Sequence, residues 1–274
     1  GRRMTARMPT AFLSHGGGPW PWVEIPKLTP AMAEMRTYLE EFAERLPRTP
    51  RAVLVVSAHW EEPVPTVQTH PQPPMLYDYE NLPPEAYEIE WPAPGAPDVA
   101  AEVREALSSA GIDNDEDGER GFDHGTFVVT KLMFPEPPFP PTLQLSLTDD
   151  LDPARALRIG AALAPLRDRD IFIIGSGFSY HNMKGLGGAL DDDPPTASRL
   201  AFTDWLDDTV TASPEARRER LTNWERAPAA RACHPTEEHL LPLLVCAGAA
   251  GDDRCETPFR TRVLGLDSLS AQFG

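Results

Sequence analysis

The 274-residue sequence predicts an α/β fold in a single domain, and three observations carry that expectation. The segments RAVLVVSAHWEE (Arg51 to Glu62) and DIFIIGSGFSYH (Asp170 to His181) each begin with an unbroken apolar, β-branched run. Such a run is too short for an ordinary helix and too apolar to be half exposed, so it reads as a strand buried on both faces. Amphipathic helical patterns lie between the strands. Both runs also end in small residues and a histidine, as expected where parallel strands of an open sheet stop pairing and their C-terminal ends converge on a ligand.

Taken in order, residues 1–7 read as a tail, with Gly1 to Arg3 a remnant ahead of Met4. Pro9 to Leu13 is a short strand entering Ser14-His15-Gly16-Gly17-Gly18, where glycine lets the backbone turn close to a ligand. Phosphate-loop spacing is absent there. Thr29 to Leu46 is one packing helix, with Met32, Met35, Leu39, Phe42 and Leu46 on a shared face. Thr66 to Thr69 is a short strand. The Pro-rich, aromatic stretch from Pro73 to Gly95 is an ordered loop that can wall a pocket. Pro97 to Ala110 is helical, and Asp113 to Glu119 reads as a solvated acidic turn. After Gly121-Phe122-Asp123-His124-Gly125 comes an apolar segment, then a strand at Thr142 to Leu147 and a helix at Pro153 to Leu166 with proline in its first turn. Helices follow at Thr196 to Val210, with Trp205 on the buried side, and at Pro214 to Trp224. Thr236 is placed to cap a helix running into LLPLLVCAGAA. Phe259 to Gly265 is a strand, and LDSLSAQFG is expected at a sheet edge.

A formal charge of −17 disfavours phosphate backbones and anionic lipid, so neither nucleic acid nor membrane is expected as a partner. Cys233, Cys246 and Cys255 show no disulfide framework and no CxxC pair, which fits a reducing cytoplasm. Neither a signal peptide nor an apolar membrane span is evident.

The chemistry lies in the histidines. His70, among prolines, reads as surface. His15, His59, His124, His181 and His234 each stand at a strand end or helix start beside Gly, Ser, Ala or Cys, and that repetition points to a shared site. Imidazole suits zinc and ferrous iron, a catalytic metal needs about three protein ligands, and a histidine off the metal can move protons near neutral pH. His234 and His239 have i, i+5 spacing in HPTEEH, not the HExxH spacing of a metalloprotease. His239 is therefore read as supporting the site, or as packing beneath it. Glu237 and Glu238 read as first-turn matches to the helix dipole, with a ligand role left open, and Cys233 reads as a small buried residue.

Six ordered motifs, SHGGGP, VVSAHWE, YDYENLPPEAYEIEWPAPG, GFDHGTFVVTKLMFP, IIGSGFSYHNM and CHPTEEHLLPL, resemble the class III (LigB-type) extradiol ring-cleavage dioxygenases, most closely the 4,5-DOPA extradiol branch, over nearly the whole chain. The resemblance implies a LigB-like domain with a central mixed, largely parallel sheet flanked by helices on both faces. It also implies a non-haem metal and cleavage of a catechol by O2 to a muconic semialdehyde. It implies His15, His59 and His234 as metal ligands, a departure from the two-histidine, one-carboxylate triad of protocatechuate-type members. His181 is implied as the base and His124 as its partner. Ferrous iron is the metal expected for activity, zinc being redox-inert but able to bind. Trp60, Tyr77, Phe178, Trp20 and His239 are candidates to line a substrate pocket. A zinc hydrolase or amidohydrolase, or a non-enzymatic relative, are the alternatives, and assembly of copies is left open.

Overall fold

The computed structural model of the protein describes residues 6–182, 196–263 and 266–274; of the expected N-terminal tail, residues 1–5 lie outside them. Eight strands, β1 (Thr10–Ser14), β2 (Ala52–Glu62), β3 (Thr66–Gln68), β4 (Asp115–Asp117), β5 (Thr142–Thr148), β6 (Ile171–Gly177), β7 (Phe259–Val263) and β8 (Leu266–Phe273), form one mixed sheet in the order β4-β3-β5-β2-β6-β1-β8-β7. Its centre, β5-β2-β6-β1, is parallel throughout. The apolar runs of β2 and β6 are fully buried, as their composition requires.

Among the described residues the helices are α1 (Leu28–Ala31), α2 (Ala33–Glu41), α3 (Pro97–Ser109), α4 (His124–Met133), α5 (Pro153–Leu163), α6 (Thr196–Val210), α7 (Pro214–Thr222), α8 (Ala230–Cys233) and α9 (Leu241–Ala250). Alternation along β6 assigns them to faces. A Cβ on Gly175 would lie 2.3 Å from the Pro242 carbonyl oxygen, so α9 presses on that side. Ser176, pointing the other way, donates its hydroxyl hydrogen to the Gly125 carbonyl of α4 at 2.5 Å. Helices α5 and α9 meet backbone to backbone: a Cβ on Gly160 would come within 1.9 Å of the Val245 oxygen, and one on Gly248 within 2.1 Å of the Leu157 oxygen.

Several elements depart from the sequence reading. The single helix expected from Thr29 to Leu46 is divided at Met32 and ends in a 3-10 turn, although Met32, Met35, Leu39 and Phe42 are buried as their spacing requires. Within the acidic stretch, Asp115–Asp117 is an edge strand parallel to β3, its side chains still turned outward. Strand β8 is not an edge. It lies between β1 and β7, and Ser14 of β1 ties it inward: the Ser14 hydroxyl donates to the Leu269 carbonyl at 3.0 Å, and the Ser14 amide donates to Ser270 Oγ at 3.1 Å. Thr236 does not cap α9; that helix starts only at Leu241, with Pro242 in its first turn.

The parallel strands β1, β6 and β2 are neighbours and end together. Ser14 is level with Gly177, and Ser57 with Ser176. His15 thus follows the end of β1 by one residue, and His59 lies two beyond the last β2 pair with β6, inside the register shift between Val56 and Glu61 against β5. Pairing with β5 lapses where His59 emerges, while the His15 amide still donates to the Gly177 carbonyl at 2.9 Å.

Candidate metal centre

His15 turns inward because Gly16 adopts φ +75°, and a side chain there would strike the Trp20 indole, whose Nε1 donates to the His15 carbonyl at 2.7 Å. The imidazole of His15 is buried, its Nδ1 3.0 Å from Ser176 Oγ. The one hydroxyl hydrogen of Ser176 is committed to the Gly125 carbonyl, so Ser176 accepts from His15 Nδ1–H and leaves His15 Nε2 without a proton. That bare nitrogen faces His59 Nε2 at 3.1 Å.

His124 opens α4. Its neighbour Asp123 caps the helix, accepting from the Thr126 amide at 3.1 Å, and is itself buried and held by Ser57, Arg120 and Gln144. The His124 ring lies 4.0 Å from that of His59 and 5.4 Å from that of His15, centroid to centroid. His15, His59 and His124 each offer a nitrogen, all within 4.8 Å of one another. Asp78, on the aromatic loop, accepts from His124 Nδ1 at 2.7 Å and from the His124 amide at 3.0 Å, and its other oxygen is 3.7 Å from His59 Nδ1.

On the opposite side stands His239, its ring 5.4 Å from His15 and 4.9 Å from His59 and stacked at 3.4 Å on His181. Glu238 Oε1 is 3.3 Å from His239 Nδ1 and 3.5 Å from His181 Nδ1. Gly177 makes this approach possible, since a Cβ there would lie 2.2 Å from the His239 carbonyl oxygen.

His15, His59, His124, His181 and His239 are thereby brought together. His234 is not. Its Nε2 donates to the Ser179 carbonyl at 2.7 Å, its Nδ1 is buried without a partner among the described residues, and its ring packs by Phe202 and Trp224. Among the described residues, the ring of the CHPTEEH segment that lies beside His15 and His59 is that of His239, not that of His234, for which the ligand role was expected. The pocket candidates separate too. Trp60 bonds Glu62 and lies under Arg120; Tyr77 bonds the Ile89 carbonyl; Phe178 is buried and donates its amide to His239; and Trp20 supports His15 from behind. Tyr79, not Tyr77, meets the His124 ring, at 5.8 Å. Asp78, Ser176 and Tyr79 escaped the sequence reading. The only signal for Asp78 and Tyr79 was the acid flanked by two tyrosines in YDYEN, and Ser176 had only its place among the small residues that end the DIFIIG strand.

Burial drives the electrostatics. His15 and His239 are held well below the ordinary histidine value by loss of hydration and then by neighbouring histidines, and His59 is pushed down to about 4 for the same reasons, against the pull of Asp123 and Asp78. His181 is also lowered by burial, with Glu238 opposing. Asp78 lies below the usual carboxylate range: burial raises it, but the bonds and charge of His124 prevail. Neutral imidazoles are the ligating form. Two nitrogens at about 2.0–2.1 Å from one ion lie roughly 3 Å apart, the spacing of the His15 and His59 pair, so these residues fit a metal ion.

The family described as the catalytic LigB subunit of aromatic ring-opening dioxygenase matches residues 10–271. The chain belongs to the LigB family. Among its relatives, the dioxygenase tasH of Hapsidospora irregularis is 35% identical, over 97% of this chain and 85% of that protein. The 4,5-DOPA dioxygenase extradiol of Beta vulgaris is 36% identical, over 89% of this chain and 87% of the relative. Its namesake in Escherichia coli is 32% identical, covering 98% and 96%. The crystal structure of an uncharacterized Escherichia coli K12 protein, JW3007, superposes with a TM-score of 0.75 at 29% identity, covering 98% of this chain and all of that one. LigB membership accords with the largely parallel mixed sheet and with a histidine cluster able to bind a metal. Among the described residues, no helix is long and apolar enough to cross a membrane.

Proposed function

We propose that this LigB-family chain is a metal-dependent extradiol dioxygenase that opens a catechol-type ring beside its two hydroxyls, both atoms of O2 entering a muconic semialdehyde-type product. The observation that carries the reading is the pair of imidazole nitrogens of His15 and His59 facing each other at 3.1 Å inside a ring of further histidines. His15, His59 and His239 would hold the ion, the family resemblance giving a ligand to the CHPTEEH segment and the ring distances favouring its second histidine. Ferrous iron there would supply the redox chemistry between catecholate and dioxygen that zinc lacks.

The remaining roles belong to the chain itself. His181, neutral at pH 7 because burial lowers it, accepts a catechol proton at one of its ring nitrogens. Its contact with Glu238 steadies the imidazolium that forms. His124, held by Asp78 through Nδ1, has Nε2 left to accept a hydrogen bond from a substrate hydroxyl, take its proton and return that proton later. Tyr79 walls the space beside it.

The test is oxygen uptake by iron-loaded protein with a panel of catechols, watched for a yellow ring-fission product. A hydrolase would consume no oxygen, and that result would overturn the reading. For the ligand set, His239→Ala is expected to lose tight metal binding and His234→Gln to keep it, both measured by metal content after dialysis; the reverse would restore His234 as ligand.

A further inference from the structure

Asp78 raises a question that the ligand set does not answer. His15 is fixed as the Nδ1–H form by Ser176. His59 has two choices. With its proton on Nε2 it would donate to His15 Nε2 across 3.1 Å and close the centre with a hydrogen bond. With the proton on Nδ1, two lone pairs face each other, an arrangement that favours a cation between them.

The one carboxylate beside the Nδ1 atoms of both His59 and His124, among the described residues, is Asp78, at 3.7 Å and 2.7 Å. It is firmly placed. The loop carrying it is laced to the segment before α4 by Leu76 N–H to the Phe122 carbonyl and Phe122 N–H to the Pro74 carbonyl, both 2.8 Å. The flanking Tyr77 and Tyr79 hydroxyls donate to the carbonyls of Ile89 and Ala86. The His124 amide, at the start of α4, donates to Asp78 Oδ1 at 3.0 Å, a position that suits negative charge.

We propose that Asp78 is a positioning residue that keeps the ring protons of His59 and His124 on Nδ1, so that both present an unprotonated Nε2 to the centre. An acid on the loop that walls the site thus selects the open state of the histidine pair over the hydrogen-bonded one. This rests on the metal reading only for its second readout; the tautomers are a property of the metal-free chain. Carboxylate partners of ligating histidines commonly change metal affinity by about 10- to 100-fold when removed.

The experiment is long-range 1H–15N NMR of the metal-free protein at pH 7.5, together with Co2+ titration followed by absorbance, for wild type, Asp78→Asn and Asp78→Ala. Asn offers a donor to one imidazole where Asp offers only acceptors. Expected are Nδ1–H forms for His15, His59 and His124 in wild type, a shift of His59 toward Nε2–H in the variants with His15 unchanged, and Co2+ binding weakened about 10- to 100-fold. An Nε2–H form of His59 in wild type overturns the proposal even if the variants fail to fold. So do variants with unchanged tautomers and unchanged Co2+ affinity. Wild type that binds no Co2+ refutes the metal reading, while its tautomers still decide the role of Asp78.

Discussion

His234 is enclosed, with one nitrogen on the Ser179 carbonyl and the other without a partner among the described residues. Burial pushes it down to about 4 from 6.5. The unfolded chain therefore binds a proton that the folded chain refuses between those values. Its contribution is complete above pH 6.5 and is lost as the pH falls toward 4. At pH 5 the loss is about 2 kcal/mol. His234→Gln keeps a donor for Ser179 and cannot titrate, so the drop in urea-unfolding stability from pH 7.5 to 5 is expected to be smaller in the variant by about that amount; equal drops would remove the role. The contrast with His239 also marks where sequence reasoning stopped at this scale. Both stand in HPTEEH, and only the late start of α9 at Leu241, set by Pro242, turns the second inward and leaves the first behind. Asp78 was less legible still, because its partner His124 lies 46 positions away and no local pattern joins them.

Among elements, the contact of α5 with α9 is the one with least slack. Gly160 and Gly248 let each helix backbone touch the other, and a methyl on either would meet a carbonyl at about half the ordinary contact distance. Gly248→Ala is expected to destabilise by about 1–3 kcal/mol through overpacking, read as a lower thermal midpoint; an unchanged midpoint would show that the helices can separate freely. The sequence announced the strands β2 and β6 because a buried parallel strand has to be apolar along its length. It placed β8 at an edge, because alternating serines resemble an exposed strand, yet β8 pairs with β1 and Ser270 accepts from the Ser14 amide. Hydroxyls that find backbone partners inside a sheet carry no signature of burial. The long aromatic loop was legible as ordered, since its tyrosines and Trp91 needed somewhere to pack; where its acid pointed was not.

For the molecule as a whole, Arg167 is a fastening point. It is fully buried, and its guanidinium donates to the carbonyls of Met8, Ala249 and Phe273 and to the Asp253 carboxylate, joining the lead into β1, the end of α9 and the end of β8. Arg167→Met would leave those acceptors unsatisfied and is expected to cost at least about 2 kcal/mol, measured by chemical denaturation; a smaller loss would mean water takes over the carbonyls. The same remote pairing bears on synthesis. Ser14, one residue before His15, bonds the Leu269 carbonyl across 255 positions. On the ribosome the strand that presents His15 is thus made 255 positions ahead of the neighbour that completes its pairing. Until then β1 carries an open edge, and a nascent chain stalled before residue 266 would hold its site histidines without the frame that aligns them.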